Sequence, residues 1–156
     1  MEKLRTYTPE IISPAVVEEF KDFINILYRA TSHPDNPRVK GFKDGSNCQR
    51  FAVDVLRGCG FTIPHLRSLE LWQDNPYTYL ADQPEKYDLV FFTPDWETDM
   101  RFAHVGVIAE VNNEGNFWVI HNSKEVGRSK IWSLNRFAQT DRYRVLRGIK
   151  RPARLG

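Results

Sequence analysis

The sequence has little cysteine and no long apolar run. Its 156 residues hold two cysteines, Cys48 and Cys59, too few for a disulfide framework. On a single helix they would sit about 16 Å apart by helical rise, too far to bridge each other. No apolar stretch approaches membrane-spanning length. Residues Met1 to Tyr7 lack the apolar core of a signal peptide. The expected setting is therefore cytoplasmic, with export by another route left open. There is no internal repeat and no low-complexity segment. What remains is ordinary for one packed domain over 1–156: 41% hydrophobic and 27% charged residues. The net charge of +2 hides an asymmetry. Residues 128–156 carry nine Lys/Arg against one acid, while the rest of the chain is net acidic. The charges are spaced rather than clustered, which fits a solvated strand face better than a nucleic-acid surface.

Two organisational halves follow from the hydrophobic period. Residues 1–12 read as irregular. Ser13-Pro14 opens a helix, and Val16, Val17, Phe20, Phe23, Ile24 and Leu27 give it an apolar stripe to about Arg29. A loop runs from Thr31 to Pro37. Ser68 is placed to cap a short helix ending near Gln73. From Tyr87 the period becomes that of strands: 87–92, 102–111, 116–122, a bent strand with a helical turn over 129–137, and 142–150. Helices first and antiparallel strands last make the class α+β, with N-terminal helices packed on a central antiparallel sheet. Residues 1–39 form a helical lead-in and 40–149 a core.

The segment 46–57 stands out. Ser46 and Gln49 have capping-box spacing, which predicts a helix with Ser46 as N-cap and Cys48 at its second position. Free amide groups and the helix dipole there favour a thiolate. Phe51, Val55 and Cys59 continue the stripe on which Cys48 lies, and Gly58 and Gly60 end the helix. Cys59 reads as a small buried hydrophobe.

Two histidines complete a constellation. Alternation puts His104, Gly106 and Ile108 on one face of their strand. Gly106 allows close approach of another element, and the Cys48 helix is the natural candidate. A turn over Asn112 to Gly115 sets Val111 opposite Asn116. Counting back, His121 falls opposite Gly106 and diagonal to His104, within reach of it; a slip of one residue would lose this. Cys48 is then the candidate nucleophile, His104 the base and later the acid, and His121 the group that orients His104. Asn122 is an alternative orienter on the opposite face. The Cys48 amide is a candidate oxyanion donor.

These motifs resemble the NlpC-type cell-wall cysteine peptidases, a branch of the papain-like fold. That family has a D-C-S tripeptide at a helix start, a G-D-L-V-F-F strand, then H-V-G-I, then I-H-A-S. The counterparts are Asn47-Cys48-Gln49, the 87–92 strand beginning at Tyr87, His104-Val105-Gly106-Val107 and Ile120-His121-Asn122-Ser123, in order over about 40–149. The resemblance implies a Cys48–His104–His121 hydrolase without cofactor, acting on peptide or peptidoglycan-fragment amides. It places Asn47 and Gln49 where the family's Asp and Ser contact substrate. Because these two differ, it supports the machinery more than the family's γ-D-glutamyl-diamino-acid bond.

Alternatives stay open from the residues alone. A non-catalytic binding module on the same scaffold and an acyl transferase with the same residues both fit. Trp96 reads either as a cleft-lining substrate contact or as core, and Trp72 likewise. Glu97, Asp99 and Arg101 read as substrate contacts or solvated loop charges. His33 and His65 read as solvent-facing. A metal site is not expected, since Cys48 and Cys59 cannot reach one ion. Oligomeric state is not legible.

Overall fold

The computed structural model describes residues 12–39 and 41–153. The sequence-based readings on 1–11, on Lys40 at the start of the core and on 154–156 of the basic C-terminus lie outside those residues. Helix α1 spans Pro14–Glu19, capped by the Ser13 hydroxyl on the Val16 amide. It is much shorter than the stripe predicts. Phe20 ends it, a single 3-10 turn follows over Lys21–Phe23, and Asn25 takes φ 66°. A residue in that left-handed region breaks a helix. The chain then runs extended, bridging Leu27 to Arg128 and Tyr28 to Ser46. The apolar residues of 20–27 are thus used by a strap across the domain rather than by a helix face.

Helix α2 spans Cys48–Gly58. Its N-cap is Asn47, not Ser46: the Asn47 Oδ1 accepts from the Arg50 amide at 2.9 Å. Cys48 is consequently the first helical residue. The Ser46–Gln49 capping box does not form, because Gln49 is drawn inward to Ser68, donating to its Oγ at 2.7 Å. Gly60, at φ 97°, turns the chain out of the helix end. Helix α3 spans Ser68–Gln73, with Arg67 rather than Ser68 at its N-cap. Ser68 is instead buried and donates to the Ala103 carbonyl at 2.7 Å.

Six strands follow: β1 Thr78–Ala81, β2 Leu89–Thr93, β3 His104–Val111, β4 Phe117–Asn122, β5 Ser129–Ser133 and β6 Val145–Pro152. They form one antiparallel sheet in the order β1-β6-β2-β3-β4-β5. Helix α4, Leu134–Ala138, follows β5. The class is α+β, and the bent strand with a helical turn over 129–137 is present. Strand β1, a short edge strand whose Thr78 and Tyr79 are strand formers, is not among the predicted strands.

The two sheet faces bury different cores. Phe51, Val55 and Leu56 of α2 pack with Leu89, Phe91, Val105, Val107 and Ile120. The opposite face buries Val90, Phe92, Ile108 and Val119 under Trp132, Phe137 and Tyr143. The C-terminal charges are mostly tied down within the fold. Lys150 is buried and donates to the carbonyls of Trp72 and Asp74. Arg151 pairs with buried Asp88, and Arg147 binds Thr93 Oγ1 and the Glu97 carbonyl. Among the described residues, no helix is long and apolar enough to cross a membrane.

Candidate functional site

The hairpin register decides whether the two histidines meet. Near the turn, Val111 pairs with Phe117, one residue from the expected partner Asn116. A bulge between Ile108 and Glu110 absorbs that residue, so Ile108 pairs with Val119 and Val107 with Ile120. The expected register is therefore recovered where it matters. His104 Nε2 and His121 Nδ1 lie 2.8 Å apart, with the rings edge to face.

Gly106 has a different reason from the one its position suggests. A Cβ there would meet Val119 Cγ1 at 2.4 Å and His121 Cβ at 3.3 Å. Its missing side chain makes room for β4 neighbours, including His121. Helix α2 packs on the other face, against Val105 and Val107. Cys48 comes near His104 because the helix start lies at the beginning of β3. Cys48 and His104 line one cavity of about 160 Å³, together with Tyr28, Gln49, Ala103 and Tyr143. A second cavity of about 300 Å³ adjoins it through His104 and Tyr143 and is lined by Pro94, Trp96, Glu97 and Phe102.

Burial dominates the electrostatics. It pushes the Cys48 thiol up, against the pull of the amides of Val105, Gln49 and Cys48 itself. The helix terminus thus does not make a resting thiolate; desolvation outweighs it. Burial pushes His104 down to about 3. His121 is also held well below the usual histidine value by burial, then by His104 and Arg136. Burial thus favours the neutral thiol and the neutral imidazoles.

Each residue after His121 also has a task. Asn122 points to the opposite face, as alternation requires, and donates to the carbonyls of Ser46 (2.9 Å) and Leu27 (3.2 Å). It ties the loop before α2 to the sheet. Ser123 Oγ lies 2.8 Å from the Tyr143 hydroxyl, and the Tyr143 ring stacks on His104 at 4.2 Å. Burial pushes the Tyr143 phenol up to about 12. The sequence reading missed this role for Tyr143, whose only signal was its place on an alternating strand. It in fact sits in a 3-10 turn just before β6.

Asn47 and Gln49 are buried and bonded to each other, Nδ2 to Oε1 at 2.9 Å. Trp96 is 79% exposed, at the second cavity, while Trp72 is packed against Phe91. Of the loop charges, Arg101 and Glu97 line cavities, and Asp99 pairs with Arg101. His65 is not simply solvent-facing: its Nε2 lies 2.5 Å from Asp54 Oδ1 on α2. Cys59 is half-buried at the C-cap of α2. Among the described residues, no group of three His, Cys, Asp or Glu side chains is placed to hold a metal ion.

The family model of the CHAP domain matches residues 38–123, more than half of the chain. The chain belongs to the CHAP domain family. No curated protein matches it. The CHAP match runs from just before α2 to Ser123 and so contains Cys48, His104 and His121. CHAP domains are found in NlpC-like and amidase families, consistent with a cysteine peptidase-type domain. CHAP membership supports a hydrolase role of the amidase or peptidase kind, with peptidoglycan as the substrate class. Helix α4 and Tyr143, which close over the histidines, lie beyond the CHAP match.

Proposed function

We propose that this CHAP domain is a cysteine hydrolase with a papain-like fold that cleaves an amide or peptide bond in peptidoglycan-derived peptides through a thioester. The observation that carries the reading is the 2.8 Å contact between His104 Nε2 and His121 Nδ1 beside a cavity that His104 shares with Cys48. If Nε2 of His104 carries its proton toward His121, Nδ1 of His104 is left as an acceptor for the thiol proton. In the reaction Cys48 Sγ attacks the substrate carbonyl as its proton moves to His104. The amide N–H groups about the sulfur are candidates to hold the developing oxyanion. His104 then protonates the leaving amine as the C–N bond breaks and the thioester forms. Water, deprotonated by His104, releases the acid and restores the thiol. Burial raises the Cys48 thiol and lowers His104, so in this reading the thiol proton passes to His104 as the sulfur attacks. Asn47 and Gln49 hold the helix start in this reading, and Trp96 contacts substrate from the second cavity. The test is incubation with purified peptidoglycan peptides and with unrelated isopeptides, products read by mass spectrometry. Cleavage that disappears in folded Cys48→Ala supports the reading; cleavage that persists overturns it.

A further inference from the structure

Tyr143 has no part in the chemistry set out above, and it lies outside the CHAP match, which ends at residue 123. Among the described residues, its ring is the nearest aromatic ring to His104. The centroids are 4.2 Å apart and the planes 24° from parallel, against 5.0 Å for His121 and 6.3 Å for Phe137. The contact is made at the edge of the cleft, since both residues border both cavities. His121 holds only Nε2 of His104. The torsion about the Cβ–Cγ bond of a histidine is broad, so one bonded nitrogen leaves the tilt of the imidazole loosely set. A ring stacked on its face narrows that tilt. Tyr143 is itself fixed. It is 5% exposed, and its hydroxyl lies 2.8 Å from Oγ of buried Ser123, which also accepts from the Glu125 amide at 3.0 Å. Ser123 follows closely on His121 in the chain. The orienting histidine and the anchor of the stacked ring thus sit on one segment.

We infer that Tyr143 is a positioning residue for this site: its stacked ring, anchored by Ser123, holds the His104 imidazole at the tilt that offers Nδ1 to the Cys48 thiol. The inference rests on the Cys48 hydrolase reading and adds to it a residue that acts through His104. Losing the ring lets the imidazole swing and admits water to the face it covered. Misplacing a reacting group by about 1 Å costs up to about a hundredfold in rate. Substrate binding does not depend on that tilt, so the loss falls on kcat.

The test compares Tyr143→Leu, which removes the stack, with Tyr143→Phe, which keeps it. Thermal midpoints establish folding, peptide turnover gives kcat and KM, and NMR of the histidine-labelled chain follows the titration of His104. Tyr143→Leu is expected to lose about tenfold or more in kcat with KM little changed, and Tyr143→Phe to recover most of it. With the ring gone, water reaches His104, and its titration rises from about 3 toward the ordinary histidine value near 6.5; Tyr143→Phe is expected to return it. His121 from β4 and Cys48 from α2 face His104, and Tyr28, Glu97, Arg101, Lys124 and Arg142 line the cavities it borders. All are the same in both variants, so a difference between leucine and phenylalanine belongs to the ring. If Tyr143→Leu does not fold, Ser123→Ala, which removes only the anchor, takes its place and is expected to lower kcat at unchanged KM and to raise the His104 titration; no change in either overturns the inference. Wild-type kcat in folded Tyr143→Leu, equal losses with leucine and phenylalanine, a loss confined to KM, or an unmoved His104 titration also overturns it. If the wild-type chain cleaves nothing but the His104 titration still follows the ring, the hold on His104 stands and the hydrolase reading falls.

Discussion

Replacing His121 tests how the base is held. His121 is fully buried and packs against Trp132 at 4.5 Å and Phe137 at 4.6 Å between ring centroids. In His121→Ala, the Nε2 of His104 loses its partner inside the protein. An orphaned buried polar group costs about 1–3 kcal/mol, and the vacated ring volume adds a cavity term. His121→Ala is therefore expected to be destabilised by a few kcal/mol yet folded at low temperature. A positioned general base is worth about 10²–10⁴ in rate, so kcat/KM should fall by about 10²-fold or more. The contact is made by Nδ1, and asparagine carries its amide oxygen at the same branch point. His121→Asn should recover about tenfold or more over His121→Ala. His121→Gln, whose amide lies one carbon further out, should not. The assay is peptide turnover by chromatography, run well below the thermal midpoint of each variant. Near-wild-type turnover in folded His121→Ala would refute the reasoning. Equal recovery by asparagine and glutamine would show that bulk alone is being restored.

Further outcomes follow from the same geometry. Gly106→Ala drives a methyl into Val119 and toward His121; overpacking of this kind costs about 1–3 kcal/mol, and urea denaturation should show it together with reduced turnover. His104 is held down at about 3 and His121 is also lowered. The unfolded chain therefore binds more protons than the folded one from the ordinary histidine value near 6.5 down to about 3. The stability these groups contribute is complete above that range and is lost as pH falls through it, so the urea midpoint should decline from pH 7 to pH 4. A midpoint flat over that interval contradicts the buried neutral pair. The raised Cys48 thiol predicts alkylation by iodoacetamide that keeps rising with pH beyond neutrality; a rate already at plateau in mild acid would indicate an ion pair instead. Trp96, exposed at the mouth of the second cavity, should be replaceable by alanine with a thermal midpoint near that of wild type and a raised KM.

Much of the sheet was legible because β2 and β4 are aromatic and branched runs buried on both faces, while the histidine face followed from the side-chain period of two along β3. The hairpin bulge was not, since a bulge changes pairing without changing the hydrophobic pattern around it. The long first helix failed for a related reason. Residues 16–27 have helical spacing, but Phe20 is buried while Leu27 is exposed, and Asn25 in the left-handed region separates them. The cap at Asn47 rather than Ser46 turned on Gln49 being drawn to Ser68, a contact between residues nineteen apart in sequence. The net direction of the Cys48 shift was not legible either, although the lowering by the helix-start amides was. A helix start favours the thiolate, but how deeply the sulfur is buried depends on β3 and on the 3-10 turns around it, which local sequence does not encode. Tyr143 was missed because its stacking on His104 needs the Ser123 contact, which joins two segments twenty residues apart.

The most direct measurement is trapping of the covalent intermediate. Wild-type chain mixed with a cleavable peptidoglycan peptide and quenched in acid should gain the acyl mass, mapped by digestion to the peptide containing Cys48. The adduct should be absent from Cys48→Ala. An adduct on Cys59, or steady turnover by the Cys48→Ala chain, would contradict the account.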